Sequence, residues 1–272
     1  MTAGKGWLGG LINQDYMQIL LANAKLMCDA TSPYPMSQPL FQTLANGIAT
    51  EMATKSKEEM ARMLKCSTGI AKENWLRFQN FFSAAAMPAI MAYNGQAYKH
   101  LRAESLSQED LVFCQNHLWI TCFLYGMLRP MDAVVPYRME HTVRLKTTGG
   151  QPLSHYWRDK LTDRLIESVR DDDGILVHLS TAEYEQLFDW KRVCDAVTVI
   201  QPLFYVRQES GMRVQAVWAK ACRGAMVRYI VTHRADTPEA LRAFSYEGFS
   251  FKPDIGEERF PHFVRDDSPV QI

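Results

Sequence analysis

The sequence LYGMLRPMDAVVPYRME, residues 124–140, departs most clearly from the pattern of a regular helix or strand. Its glycine and prolines interrupt the backbone and place polar side chains on stiff, irregular chain. These polar residues are Arg129, Asp132, Tyr137, Arg138 and Glu140. Binding and catalytic residues often lie on such segments, where a rigid scaffold presents them. The same composition also suits a loop whose arginines form structural ion pairs, so the segment alone leaves both interpretations open.

The composition of the whole chain describes a globular protein without a strong net charge. Its 272 residues are 47% hydrophobic, enough for one large domain or two modest ones. Thirty basic and thirty acidic residues cancel, so a basic surface can arise only by local segregation of charge. No apolar run approaches the roughly 18 residues that span a bilayer, and we expect no membrane partner.

The cysteines favour a reduced, cytoplasmic protein. Six of them lie far apart without a C-x-x-C pair, unlike a disulfide scaffold: Cys28, Cys66, Cys114, Cys122, Cys194 and Cys222. Cys114, His117 and Cys122 come nearest to a metal pattern, but the surrounding run is apolar and aromatic and indicates a buried helix. We therefore expect no metal and no cofactor.

Helical and strand patterns alternate along the chain without an internal repeat. We predict an α+β (mixed α/β) fold, a single compact domain with a central mixed sheet surrounded by helices. Residues 1–16 form an N-terminal extension in this interpretation, and residues 17–272 form the domain. The main predicted elements are a strand at 18–22, helices near 56–64, 71–86 and 107–122, a helix at 154–169, a strand at 175–179, a hairpin turning at 209–211 and a helix at 219–232.

A second candidate region begins at Lys220, directly after a predicted strand. A strand that feeds a helix here would place Lys220 and Arg223 close together, in a position that favours phosphate or carboxylate. The glycine pattern of a P-loop is absent. A helix start with solvated charges is the alternative.

The third candidate is KEEMARMLKCSTGIAKENWLRFQNFF, residues 57–82, which predicts two short helices joined by residues 65–69. This arrangement resembles a helix-hairpin-helix, in which Lys65 and Lys72 would contact a nucleic-acid backbone without sequence preference. The turn has a single glycine, Gly69, where the usual pattern has two. An ordinary helical hairpin packed on the core therefore remains open.

Several stretches together resemble the YaaA family of bacterial peroxide-stress proteins, in family order from Met17 onward. They are LYGMLRPMDAVVPYRME at 124–140, YWRDKLTDRL at 156–165, HLSTAEYEQLF at 178–188, AKACRGAMVRYIV at 219–231 and FSYEGFSF at 244–251. The resemblance implies a cytosolic protein that limits damage from peroxide and free iron. It also implies a positively charged cleft, a helix-hairpin-helix and binding to duplex or branched DNA.

The resemblance further implies which side chains meet. The cations expected to line one cleft are Lys25, Arg129, Arg138, Lys220 and Arg223. The polar groups expected beside them are Tyr137, Glu140, Ser180, Glu183 and Tyr184. Two departures from the family pattern lie at this cleft: residues 22–26 keep the lysine but lose a proline and a threonine, and residues 93–98 lose one charge of each sign. We expect a weaker phosphate interaction or a changed ligand.

Two functions follow. In the first, the protein binds DNA and protects it without making or breaking a bond. In the second, it is an enzyme acting on a small phosphorylated or nucleotide-like substrate, with Glu140 or Glu183 as general base and Tyr137 or Tyr184 as acid. Iron binding by the protein itself is a weaker third option, because its histidines and cysteines lack ligand spacing.

Overall fold

The computed structural model describes residues 16–266, in which helices and strands alternate. The helices are α1 (Gln42–Ala53), α2 (Lys57–Met63), α3 (Thr68–Gln79), α4 (Ala89–Ala92), α5 (Gln96–Leu101), α6 (Gln108–His117), α7 (Leu153–Arg170), α8 (Ala182–Glu185), α9 (Trp190–Ala196), α10 (Ala216–His233) and α11 (Pro238–Leu241), with a 3-10 turn at Ala103–Ser105. The strands are β1 (Gln18–Ala22), β2 (Met87–Pro88), β3 (Leu118–Cys122), β4 (Gly126–Leu128), β5 (Ala133–Val134), β6 (Ile175–Leu179), β7 (Thr198–Ile200), β8 (Leu203–Gln208), β9 (Gly211–Arg213), β10 (Ser245–Tyr246), β11 (Phe249–Glu257) and β12 (Phe260–Asp266). The α+β prediction is confirmed. The predicted extension, residues 1–16, lies outside the described residues apart from Tyr16.

A five-stranded mixed sheet occupies the centre, in the order β4-β3-β1-β6-β7. β1 pairs in parallel with β3 on one side and with β6 on the other. The strand predicted at 18–22 is therefore central, and its Ile19 and Leu20 are fully buried. β7 continues the parallel arrangement beyond β6, whereas β4 is antiparallel to β3.

The segment 124–140, predicted to be stiff and irregular chain, is largely buried. Gly126 adopts a positive φ of 74° at the turn that reverses the chain from β3 into β4. A Cβ at Gly126 would lie 2.8 Å from the ring of Trp157, so this turn requires glycine for both backbone angle and space. The reversal brings the segment back along β3 into the core.

The helix predicted over 107–122 is wrong in its second half, because α6 ends at His117 and residues 118–122 form β3. The start is confirmed: Ser107 and Asp110 form the predicted capping box. All five side chains of β3 are buried, and its aromatic and β-branched residues suit a buried strand. Cys114 and Cys122 are buried on either side of this boundary.

A second five-stranded sheet has the order β10-β11-β12-β8-β9, and β2 and β5 form a separate antiparallel pair. The predicted hairpin is confirmed as β8 and β9, whereas the parallel pairing of β8 with the distant β12 was not predicted. Phe204, Phe244 and Phe263 pack together on this sheet with ring centroids 5.5–6.3 Å apart. No helix within residues 16–266 is long and apolar enough to cross a membrane.

α10 and α5 approach each other closely at Gly224. A Cβ at this position would lie 1.7 Å from the carbonyl oxygen of Ala97, so only glycine allows the observed contact. The contact positions two parts of the structure relative to each other: the α10 turn that carries Lys220 and Arg223, and the loop that leads into α5.

We expect Gly224→Ala to lower the free energy of unfolding by about 2 kcal/mol or more, because the added methyl group forces α10 away from α5. Gly69→Ala is the matched control: its Cβ would meet no atom within 4 Å, and alanine in α3 should be neutral or stabilising by up to about 1 kcal/mol. Urea unfolding followed by circular dichroism measures both. Equal effects of the two substitutions would contradict the close packing at Gly224.

Candidate functional site

A cleft opens at the carboxyl ends of β1 and β6. Its cavity has a volume of about 360 Å³ and is lined by three short segments and one helix: residues 21–26, residues 94–99, residues 179–184 and α10. Within this sheet the chain continues from β1 to β3 on one side, and later returns to β6 on the other side. The direction in which strands are added therefore reverses at β1. Open α/β sheets bind ligands at such a reversal, outside the carboxyl ends of the strands. Both segments that depart from the family pattern, 22–26 and 93–98, contribute to the lining.

Positive charge predominates on the cleft wall. Among its lining residues four are cationic and one, Glu183, is acidic; the cations are Lys25, Lys99, Lys220 and Arg223. Lys220 and Arg223 form no hydrogen bond or ion pair with any residue from 16 to 266. Burial lowers the pKa of the Arg223 guanidinium. Since a desolvated cation without a counter-ion is costly, an anion placed at this wall would be stabilised.

A chain of hydrogen-bonded side chains lies behind the cleft. The hydroxyl groups of Tyr93 and Tyr137 are 2.8 Å apart, and Asn23 Nδ2 donates to the Tyr137 oxygen at 3.4 Å. The Tyr184 hydroxyl donates to Asn23 Oδ1 at 2.5 Å. Burial raises the pKa of all three tyrosines, so each keeps its proton at neutral pH. Tyr184 lines the cleft, whereas Tyr137 is reached only through Asn23.

The two carboxylates proposed as bases have different surroundings. Both oxygens of Glu140 lie 2.8 Å from Lys25 Nζ, and Oε1 also accepts from Arg138 at 3.0 Å. Glu140 is therefore already paired with two cations. Glu183 lines the cleft and places Oε1 3.0 Å from His141 Nδ1, which makes it the better placed candidate.

Arg129 does not lie in the cleft, and the expectation that it joins Lys25 there is wrong. Its guanidinium bonds at the amino end of the sheet, to Gln18 Oε1 at 3.2 Å, the Leu118 carbonyl at 3.3 Å and Ser168 Oγ at 3.2 Å. The antiparallel direction of β4 carries it to that end. Burial and the nearby Arg164 lower its pKa to about 9.

Ser180 and Asp132 also have partners inside the protein. Ser180 is 1% exposed, with its hydroxyl 3.3 Å from that of Thr121, and it does not line the cleft. Asp132 accepts hydrogen bonds from the Ser37 hydroxyl at 2.7 Å and the Arg129 backbone N–H at 2.8 Å. Both hold the backbone in place.

Two packed helices, α2 and α3, form the helical hairpin predicted at 57–82. The connection is residues 64–67, which begins one residue and ends two residues earlier than predicted, because Ser67 caps α3 and Gly69 lies inside that helix. Lys65 adopts a positive φ of 47° in this turn. Burial raises the pKa of Cys66 in this turn, and the charges of Arg138 and Glu140 act on the same thiol, so the turn lies near these two residues.

An open groove runs beside the hairpin, with a volume of about 420 Å³. Its lining includes four cations and one acid: Lys55, Arg62, Lys65, Arg144 and Glu59. The Glu59 carboxylate accepts the backbone N–H of Ser56 in a capping box, and Lys55 pairs with Glu51 at 3.3 Å. Lys72 is exposed on α3 but does not line the groove.

Four site residues were missed in the sequence, namely Asn23, Tyr93, Lys99 and His141. Asn23 directly follows the end of a predicted central strand, which is a signal that could have identified it. His141 adjoins Glu140 in sequence, but its partner Glu183 is far away in the chain. Tyr93 begins the segment 93–98, which the family resemblance placed at the cleft, and that segment was the signal available for it.

Arg223→Met is expected to raise the free energy of unfolding by about 1 kcal/mol, since it removes a desolvated cation that has no partner among the described residues. Arg129→Met is the matched control, a buried arginine with several hydrogen bonds. Its loss leaves acceptors unsatisfied and should destabilise by about 2 kcal/mol or more. Thermal and urea unfolding compare the two. If both substitutions destabilise alike, Arg223 has a partner within the protein.

Comparison with known proteins places the chain in a family. Residues 17–255 match the family described as "Peroxide stress protein YaaA". A UPF0246 protein of Bacteroides thetaiotaomicron is 40% identical over 252 residues, which cover 91% of this chain and 98% of the relative. A UPF0246 protein of Phocaeicola vulgatus is 41% identical over 84% of this chain and 89% of its own length. The chain therefore belongs to the YaaA family of peroxide stress proteins.

Proposed function

We propose that this protein acts in peroxide stress, a role that its family membership supports, by binding DNA in the cytoplasm and limiting iron-dependent oxidative damage. The groove beside the α2–α3 hairpin carries the proposal. Its lining contains four cations and one acid, Glu59, whose carboxylate caps α2. Lys55 among the cations pairs with Glu51. The groove is thus locally basic on a chain whose net charge is zero. Such local segregation of positive charge is what a phosphate backbone requires.

The groove is more open than the cleft, which suits contact with a backbone rather than with base edges. Lys65 and Arg62 lie on the hairpin, and Arg144 lines the groove from residues 142–144. Lys72, exposed on α3, offers a further contact outside the groove. Binding through these side chains would be independent of sequence and sensitive to salt, and no bond would be made or broken.

A titration of duplex DNA against salt, in EDTA, tests this proposal. Arg62→Ala/Lys65→Ala should weaken binding and reduce the slope of log K against log salt by about 1 for each lost phosphate contact. Lys72→Ala should have a smaller effect. Lys191→Ala is the control, because this exposed lysine pairs with Asp195 away from the groove.

Two outcomes would contradict DNA binding through the groove. One is wild-type binding without dependence on salt. The other is an Arg62→Ala/Lys65→Ala protein whose affinity and slope equal those of the wild type.

A second candidate function is binding or conversion of a small phosphorylated or nucleotide-like ligand in the cleft. The observation in its favour is the cleft cavity, on whose wall Lys220 and Arg223 have no hydrogen bond or ion pair with the described residues. In this function the two cations hold the phosphate, Glu183 oriented by His141 accepts a proton, and Tyr184 donates one. Arg223→Met belongs in the DNA titration as well: if DNA uses the groove alone, this variant retains wild-type affinity.

A further inference from the structure

A cluster of three donor side chains at the rim of the cleft has no part in phosphate binding. We propose that Glu140, His141 and Glu183 bind a divalent first-row transition-metal ion. One donor atom from each residue lies within 4.8 Å of the other two. The site is independent of the DNA groove, whose cations lie on the hairpin and on residues 142–144.

The distance between the two best placed donors fits a shared ion. His141 Nδ1 and Glu183 Oε1 are 3.0 Å apart. Two ligands that are each about 2.1 Å from one metal and at right angles to each other are separated by about 3 Å. One imidazole nitrogen with two carboxylate oxygens suits manganese, iron or zinc, whereas magnesium and calcium prefer oxygen alone.

The third proposed ligand, Glu140, already binds a cationic group, the ammonium of Lys25. The ammonium nitrogen lies 2.8 Å from both oxygens of Glu140, so a positive charge already faces this carboxylate. The Lys25 side chain is 49% exposed and can turn toward solvent, whereas Glu140 is only 9% exposed and stays in place. Arg138 would keep its hydrogen bond to Glu140 Oε1 and hold the carboxylate in orientation.

The surrounding structure holds the other two ligands. The ring of His141 packs against Phe123, with centroids 5.9 Å apart, and its backbone carbonyl accepts from Ser154 N at 3.2 Å. Glu183 lies in α8, directly before the buried Tyr184. Since Glu183 and Lys25 both line the cleft, the coordination positions left by three protein ligands would face its cavity.

Competition with Lys25 gives the proposal its sharpest test. Binding of Mn²⁺ to the full chain, counted from the electron paramagnetic resonance of free Mn²⁺, should show one site per molecule. His141→Ala and Glu183→Gln should each weaken it by about tenfold or more. Lys25→Met should tighten it several-fold, because the competing ammonium is gone. His155→Ala, an exposed histidine on α7, is the control and should leave binding unchanged.

A second measurement does not depend on affinity. Electron spin echo of bound Mn²⁺ should show modulation from one imidazole nitrogen, and this modulation should disappear in His141→Ala while circular dichroism shows an intact fold. Binding that persists in Glu183→Gln, or that Lys25→Met leaves unchanged or weakens, would overturn the site. The DNA titration is run in EDTA, so failure of either proposal leaves the other standing.

Discussion

Parallel pairing of β1 with β3 and with β6 is the constraint on which the rest of the structure depends. It aligns the carboxyl ends of three strands at one edge of the sheet. The loop after β1 carries Asn23 and Lys25, and α8, the helix that follows β6, carries Glu183 and Tyr184. Side chains that are far apart in sequence therefore meet at one cleft, because the parallel pairing brings the ends of β1 and β6 side by side.

Two largely buried arginines, Arg129 and Arg223, differ in the number of hydrogen-bond acceptors around them. Arg129 stacks on Trp119 at 3.4 Å and satisfies its donors with three oxygen acceptors, so its charge serves the fold. Arg223 has a comparable environment without such acceptors among residues 16–266, on the wall of the cleft. Arg129 is thus paired within the fold, whereas Arg223 would gain a partner if an anion bound at the cleft wall.

Local signals in the sequence predicted much of the fold. The central strand at 18–22, the helix near 154–169 and the hairpin at 209–211 all carry their own pattern of apolar residues and turns. Residues 118–122 could not be separated from α6 by local signals, since no glycine or proline lies between them and the strand is defined by its burial between β1 and β4. Pairing of β8 with β12 depends on partners about 60 residues apart, which no local pattern specifies.

The sequence predicted the site residues that follow a strand of the central sheet better than those that tertiary contacts bring to the site. Lys25, Glu183 and Tyr184 follow the ends of predicted strands and reach the cleft as expected. Arg129 was misplaced because the sequence does not reveal that β4 runs antiparallel. The contact of His141 with Glu183 is a product of tertiary structure alone.

Phosphorus NMR of inorganic phosphate in EDTA tests the claim that the cleft wall is an anion site. Wild-type protein and the Arg62→Ala/Lys65→Ala variant should broaden and shift the phosphate resonance equally, and Arg223→Met should lose the effect. A resonance that wild-type protein leaves unchanged, or that Arg223→Met perturbs as strongly, would contradict the account.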